Sequence, residues 1–253
     1  WNLRFLTLHK HERPLWWRER CEIILRMAHD HGAKRVFVPL PYLFNAGVGT
    51  KDQHREIALS YRGVPFRTGH RADGIVIPKA CASFHPSGDC PTIILKDMSK
   101  NIVISAHAGR DCLIDRNAIA GKRPRKHASV VDAMFARIKD RKSVHAAVVC
   151  GVGPISFGHS WDHPGHGRRN KTLVNHIVHR WGSGCIIGHP AKGNLNLVEI
   201  IRRQMVAGGI LPENMTYDGT DTSCDTDENG NLLWWSHHRG DCERNGILVV
   251  RTK

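Results

Sequence analysis

The 253-residue sequence predicts a mixed α/β protein of the α+β type, built as one domain around a mixed, largely antiparallel sheet. Three observations carry that expectation. Short apolar segments follow one another between residues 57 and 106 with no helical stretch between them. Helical spacing is confined to flanking regions, at 15–31, 128–142 and 196–208. No internal repeat, low-complexity linker or composition break divides the chain, and its length allows one large core.

In chain order, residues 15–31 place Trp17, Cys21, Ile24, Leu25 and Ala28 on one helical face, with Pro14 at the start and Gly32 just past the end. Residues 35–40 read as a strand. The Pro-, Gly- and Asn-rich stretch 41–53 is a loop that delivers His54. Strands are expected at 57–61, 73–78, 80–84, 92–95 and 102–106, then a helix over 128–142 carried by Val130, Val131, Met134, Phe135 and Ile138. A buried strand at 146–150 runs into the turn Gly151-Val152-Gly153-Pro154. Residues 157–192, dense in Gly, His and Arg, are expected to form an exposed excursion. The helix at 196–208 ends on Gly208-Gly209, and strands follow at 214–217, 232–236 and 246–251, with a polar loop over 218–231.

Composition narrows the function classes. Thirty-seven Lys and Arg against 23 Asp and Glu give a net charge of +14, which favours anionic partners. The basic residues are scattered, and the densest run, Lys122-Arg123-Pro124-Arg125-Lys126, lacks interleaved aromatics for base stacking, so nucleic acid ranks behind phosphate esters or free phosphate. No apolar window of about 18 residues predicts a membrane span. Eight cysteines with no C-x-x-C pair point to a reduced, cytoplasmic protein rather than a disulfide framework.

The chemistry concentrates at Asp89-Cys90-Pro91, which opens one strand, and at Ala106-His107-Ala108-Gly109-Arg110, which closes the next. His54 precedes Cys90 by 36 residues (90 − 54) and His107 follows it by 17 (107 − 90). Two imidazoles and a thiol make three zinc ligands with the fourth position open to water or substrate. Each residue has a plainer reading: Cys90 as a buried structural cysteine, His107 as a paired core histidine, His54 as a loop histidine for which His70 or His85 can substitute. Asp89 cannot activate a neighbouring thiol, because a like charge raises its pKa, so activation requires a metal or an imidazole. Arg110 and Arg239 are either surface charge or forks for an anion.

The ordered series Ala72-Asp73-Gly74-Ile75-Val76, Gly88-Asp89-Cys90-Pro91-Thr92-Ile93-Ile94-Leu95, Ala106-His107-Ala108-Gly109-Arg110 and Gly153-Pro154 resembles the motifs of the YfiH-like laccase-domain family, whose members are known as polyphenol oxidases or purine nucleoside phosphorylases. Asn194-Leu195 through Gly208-Gly209-Ile210, and Cys224 with Trp234 to Asp241 and Gly246, resemble its C-terminal signatures. The likeness runs from about residue 53 to the end and leaves a divergent N-terminal part at about 1–52. It implies a single-domain layered α/β/β/α sandwich over 1–253. It also implies a zinc site of His54, Cys90 and His107, with copper as the alternative metal. Asp89, Gly153, Arg110 and Arg239 would then serve substrate or phosphate.

By the same resemblance, the expected reaction is phosphorolysis of the glycosidic bond of adenosine, inosine or guanosine, with deamination of adenosine as a further activity. The partners are a small-molecule nucleoside and phosphate, and the chain is a monomer or homodimer. Alternatives are copper-dependent oxidation of phenols, hydrolytic editing of a peptidoglycan precursor, or nucleic-acid binding without catalysis. Against a multicopper centre, His-x-His pairs occur only at His9/His11 and His29/His31. The sequence departs from the family in three places: Arg110-Asp111-Cys112 stands where the motif continues Trp-Arg-Gly, His54 follows a loop rather than a strand, and His238-Arg239 replaces paired arginines.

Overall fold

Trp16–Asp30 forms α1, the amphipathic helix expected from its spacing, and it buries Cys21, Leu25 and Ala28 against the first of two large sheets. The structure, a computed structural model, describes residues 16–39, 47–53, 55–68, 72–149, 159–160, 167–188, 194–236, 239–241 and 245–252. After α1 come β1 (Val36–Val38), β2 (Val48–Gly49), β3 (Arg55–Tyr61), β4 (Val64–Thr68), β5 (Gly74–Ile77), β6 (Cys81–Ser87), β7 (Thr92–Asp97) and β8 (Ile102–His107). Three short helices follow, α2 (Arg110–Leu113), α3 (Arg116–Ile119) and α4 (Val130–Phe135), then β9 (Val144–Val149) and β10 (His159–Ser160). The chain continues through α5 (Gly167–Trp181), β11 (Ile186–Ile187), β12 (Asn194–Leu195), α6 (Leu197–Ala207), β13 (Met215–Tyr217) and β14 (Asn245–Arg251).

The first sheet has the order β14-β6-β1-β4-β3 and the second β13-β9-β7-β8-β5-β2; β10, β12 and β11 pair in a small third sheet. Both large sheets are mixed. In the second, β9, β7, β8 and β5 are each antiparallel to the next, and the parallel partners β13 and β2 lie at its edges. β1 is parallel to both of its neighbours, which makes residues 36–38 the centre of the first sheet.

Alternation along the strands creates three apolar layers. Val36 and Val38 face α1, while Phe37 between them points to the other side and meets Ile75, Ile77 and Val249 between the sheets. Ile93, Leu95, Ile104 and Ala106 cover the outer face of the second sheet, where Leu113, Met134, Ile177 and Ile201 bring the helices down on it. Full burial of each such side chain contributes about 1.5–3 kcal/mol. The result is the expected α/β/β/α sandwich. No helix among the described residues is long and apolar enough to cross a membrane.

Three expectations need correction. Part of the region 157–192 is built into the fold: α5 spans Gly167–Trp181 and buries Leu173, Val174 and Ile177. The helix expected over 128–142 is only Val130–Phe135. Arg137 and Ile138 continue it as i→i+3 turns, so that Ile138 enters the core and the Arg137 guanidinium donates to Val48 O at 2.9 Å. Residues 232–236 are not a strand; Leu232 makes a single bridge to Thr226.

Candidate metal centre

Strand register places the thiol beside the imidazole. Thr92 of β7 pairs with His107 of β8. Just beyond the strand end, Ala108 N donates to Pro91 O at 2.8 Å, which brings Cys90 alongside Gly109. A Cβ built on Gly109 would lie 3.0 Å from Cys90 Sγ, 2.9 Å from His107 Cε1 and 3.3 Å from His107 Nε2. The two soft donor atoms thus flank one small gap, kept open because residue 109 has no side chain. The turn carrying Cys90 is fixed by Ser87 Oγ donating to Cys90 O, and by Asn245 Nδ2 donating to Gly88 O at 3.1 Å. Asp89, buried, accepts from Thr222 Oγ1 at 2.9 Å.

The other edge of the imidazole looks inward. His107 Nδ1 lies 3.4 Å from Cys112 Sγ, whose thiol donates to Asp73 Oδ1 at 3.2 Å; Asp73 Oδ1 and His107 Nδ1 are 4.0 Å apart. Asp73 and Cys112 are 0% exposed and His107 6%. Two local features hold the trio. His107 N donates to Asp73 O at 2.8 Å across the β5–β8 edge, and Cys112 N donates to Gly109 O at 2.9 Å as α2 turns back under the strand. The glycine after Asp73 is obligatory, since a Cβ there would sit 2.5 Å from Ala106 Cβ.

Asp73, His107 and Cys112 form a group able to hold a metal ion. A metal there requires the thiolate. Burial first, and then the Asp73 charge, push the Cys112 thiol well above its ordinary pKa, which keeps its proton in place without a cation. The gap on the Nε2 side, with Cys90 half-buried, is the accessible donor set; the Nδ1 side backs it.

The structure therefore brings Cys90 and His107 together. His54, His70 and Gly153 lie outside the described residues. His85 is buried between the sheets, its Nε2 2.8 Å from Ser105 Oγ, which is itself 2.6 Å from Ser83 Oγ. Burial, with the neighbouring His107 as a second cause, pushes its pKa down to about 3, so it is neutral. Arg110 emerges directly after Gly109, its Nε 3.4 Å from Asp111 Oδ1, and its two Nη groups have no protein partner among the described residues. Arg239 is committed to its own loop: Nη1 donates to Thr222 O and Ser223 O, and Nη2 to Trp234 O and Asp241 Oδ2, at 2.6–2.9 Å. Among the described residues it reaches the site through Thr222, which holds Asp89.

Sequence reasoning assigned no role to Asp73 and missed Cys112. The available signals were the Ala72-Asp73-Gly74 motif and a cysteine five residues past His107 (112 − 107), where the resembled motif has glycine.

Two mixed sheets packed face to face between helices, with Cys, His and Asp donors gathered at the ends of central strands, define a metal-binding α/β sandwich protein. The family model described as "Multi-copper polyphenol oxidoreductase laccase" matches residues 45–250, and the chain belongs to that family. Its fold is similar to three solved structures. YfiH of Bacillus licheniformis, a hypothetical protein, superposes with a TM-score of 0.66 at 16% identity, covering 96% of this chain and 84% of that one. YlmD of Geobacillus stearothermophilus gives 0.63 at 17%, covering 92% and 80%. Neisseria meningitidis NMB0706 gives 0.62 at 17%, covering 98% and 86%. No curated protein sequence matches the chain. The structural likeness includes α1 and β1, which precede the family match.

Proposed function

We propose that the chain is a zinc-dependent enzyme acting on purine nucleosides, cleaving the glycosidic bond of adenosine, inosine or guanosine with phosphate. The observation that carries the metal assignment is the convergence of Cys90 Sγ and His107 Nε2 on the gap at Gly109. The donor set suits zinc: sulfur and imidazole nitrogen are its usual partners, and His54, the third ligand in this reading, leaves one position open. When bound, zinc supplies a Lewis acid that polarises a substrate oxygen or lowers the pKa of water.

The nucleoside and phosphate come from the family resemblance, and this chain's residues divide the remaining work. Cys90 and His107 hold the metal, and Gly109 leaves room for substrate to approach it. Arg110, whose Nη groups are unengaged among the described residues, receives the phosphate anion. Asp89, kept in place by Thr222 and through it by Arg239, anchors the turn that positions Cys90. The surplus positive charge draws in the anionic co-substrate.

The family description favours a second reading, copper-dependent oxidation of phenols. Of the two His-x-His pairs, His29 and His31 sit on the exposed end of α1, engaged with Asp30 and Met27 O. His9 and His11 lie outside the described residues.

Metal content of protein purified without added metal, read together with phosphate-dependent release of base from inosine, separates the readings. One zinc per chain with base release supports the proposal. Several coppers with phenol oxidation replaces it. Cys90→Ala is expected to abolish both metal uptake and nucleoside turnover; a fully active Cys90→Ala protein with unchanged metal content overturns the site.

A further inference from the structure

We infer that Cys112 is a positioning residue: its thiol bridges the Asp73 carboxylate and His107 Nδ1, holding the imidazole proton on Nδ1 and turning the Nε2 lone pair to the gap beside Cys90. The inference rests on the metal reading above and adds a residue that reading does not use.

The geometry orders the hydrogen bonds in one direction. Asp73 as a carboxylate can only accept, so the 3.2 Å contact requires the Cys112 proton to point at Asp73. The sulfur then presents only its lone pairs to His107 Nδ1 at 3.4 Å, which requires the proton of that contact to sit on Nδ1. A neutral imidazole protonated at Nδ1 has its lone pair on Nε2, the nitrogen that faces Gly109 and Cys90 Sγ. Direct pairing of Asp73 with Nδ1 is too long to do this at 4.0 Å, so the thiol fills the space between. Metal-ligating histidines generally have their second nitrogen fixed in this way, by a carboxylate, a carbonyl or water; here a thiol is interposed.

Two measurements on the full chain test the inference. In the metal-free wild type, nitrogen-15 NMR of the histidines is expected to show His107 as the Nδ1–H tautomer; the Nε2–H tautomer overturns the relay. In zinc titrations against a competing chelator, Cys112→Val is expected to weaken binding about 10–100-fold, while Cys112→Ser, which keeps a donor and an acceptor, stays within about threefold of wild type. Thermal unfolding checks that each variant is folded, and Cys112→Ala serves if valine does not fold. Unchanged zinc affinity in the valine or alanine variant reduces Cys112 to packing and overturns the proposal.

With cobalt in place of zinc, the sulfur-to-metal charge-transfer band is expected to survive Cys112→Ser and to vanish in Cys90→Ser. Its loss in Cys112→Ser would make Cys112 itself a ligand and overturn the relay. A wild type that binds no metal defeats the zinc reading alone, because the tautomer measurement still decides the relay.

Discussion

β7 and β8 present two different faces. Toward the helices they show Ile93, Leu95, Ile104 and Ala106, all fully buried among aliphatic side chains. Toward the other sheet the same strands show Ile94 and Val103 within an apolar cluster, together with Ser105, which meets Ser83 and His85. The contrast follows from what each neighbour can offer. The helices meet these four positions with aliphatic side chains, so this part of the face is filled by apolar groups. The facing strand β6 alternates too and turns Ser83, His85 and Ser87 inward, so polar groups can be buried there in pairs. One face is apolar at these four positions, whereas the other mixes an apolar cluster with the polar groups that lead to the site, one residue apart.

This division can be broken most sharply at the gap. Gly109→Ala places a Cβ 3.0 Å from Cys90 Sγ and 2.9 Å from His107 Cε1, and is expected to cost at least about 100-fold in turnover through displacement of the donors. Its unfolding midpoint should move far less. A variant with wild-type turnover would mean that substrate chemistry lies elsewhere. On the apolar face, Ile104→Ala is expected to destabilise by about 3 kcal/mol in urea unfolding, with zinc affinity of the folded protein unchanged. A parallel loss of zinc affinity would show that the two faces are coupled.

The polar face should also respond to acid. His85 has its pKa lowered from 6.5 to about 3, so the unfolded chain takes up a proton that the native state refuses. Its contribution is fully present above about pH 6.5 and is lost progressively as pH falls from there toward 3. Urea midpoints of the wild type between pH 8 and 4 should fall more steeply than those of His85→Gln; superimposable slopes would remove His85 as the cause. The smallest effect is expected at Thr92, whose buried Oγ1 has no hydrogen-bond partner among the described residues. Thr92→Val should be neutral or stabilising by up to about 1 kcal/mol in thermal unfolding. Loss of turnover there would instead show that the hydroxyl meets the ligand.

Much of this architecture could be read before any coordinates. α1, α6 and the strands β5 to β9 announce themselves by 3.6- and 2-residue periods, and by local stops such as Gly208-Gly209; the structure adds that Asn196 caps α6 by accepting from Glu199 N at 3.0 Å. α5 was harder to see. Its stripe of Leu173, Val174 and Ile177 is interleaved with Lys171, His176, His179 and Arg180, and only the neighbouring α6 and the second sheet make that narrow stripe worth burying. The length of α4 was illegible for a related reason: the partner that draws Arg137 out of helical continuation is a carbonyl 89 residues away.

The candidate site divides in the same way. Cys90 and His107 stand out in the sequence because both flank strand ends in small-residue turns, and local chain direction suffices to bring a strand end beside the start of its hairpin partner. Gly109 between them is likewise a local requirement, set by the space its absent side chain leaves. The trio behind His107 depends on β5 pairing with β8 and on α2 folding back beneath it. These two events bring a carboxylate and a thiol 39 residues apart to 3.2 Å. Sequence spacing carries residue type and period, but not which atom of a thiol faces which partner. That direction is a property of packing, and here it decides the role of Cys112.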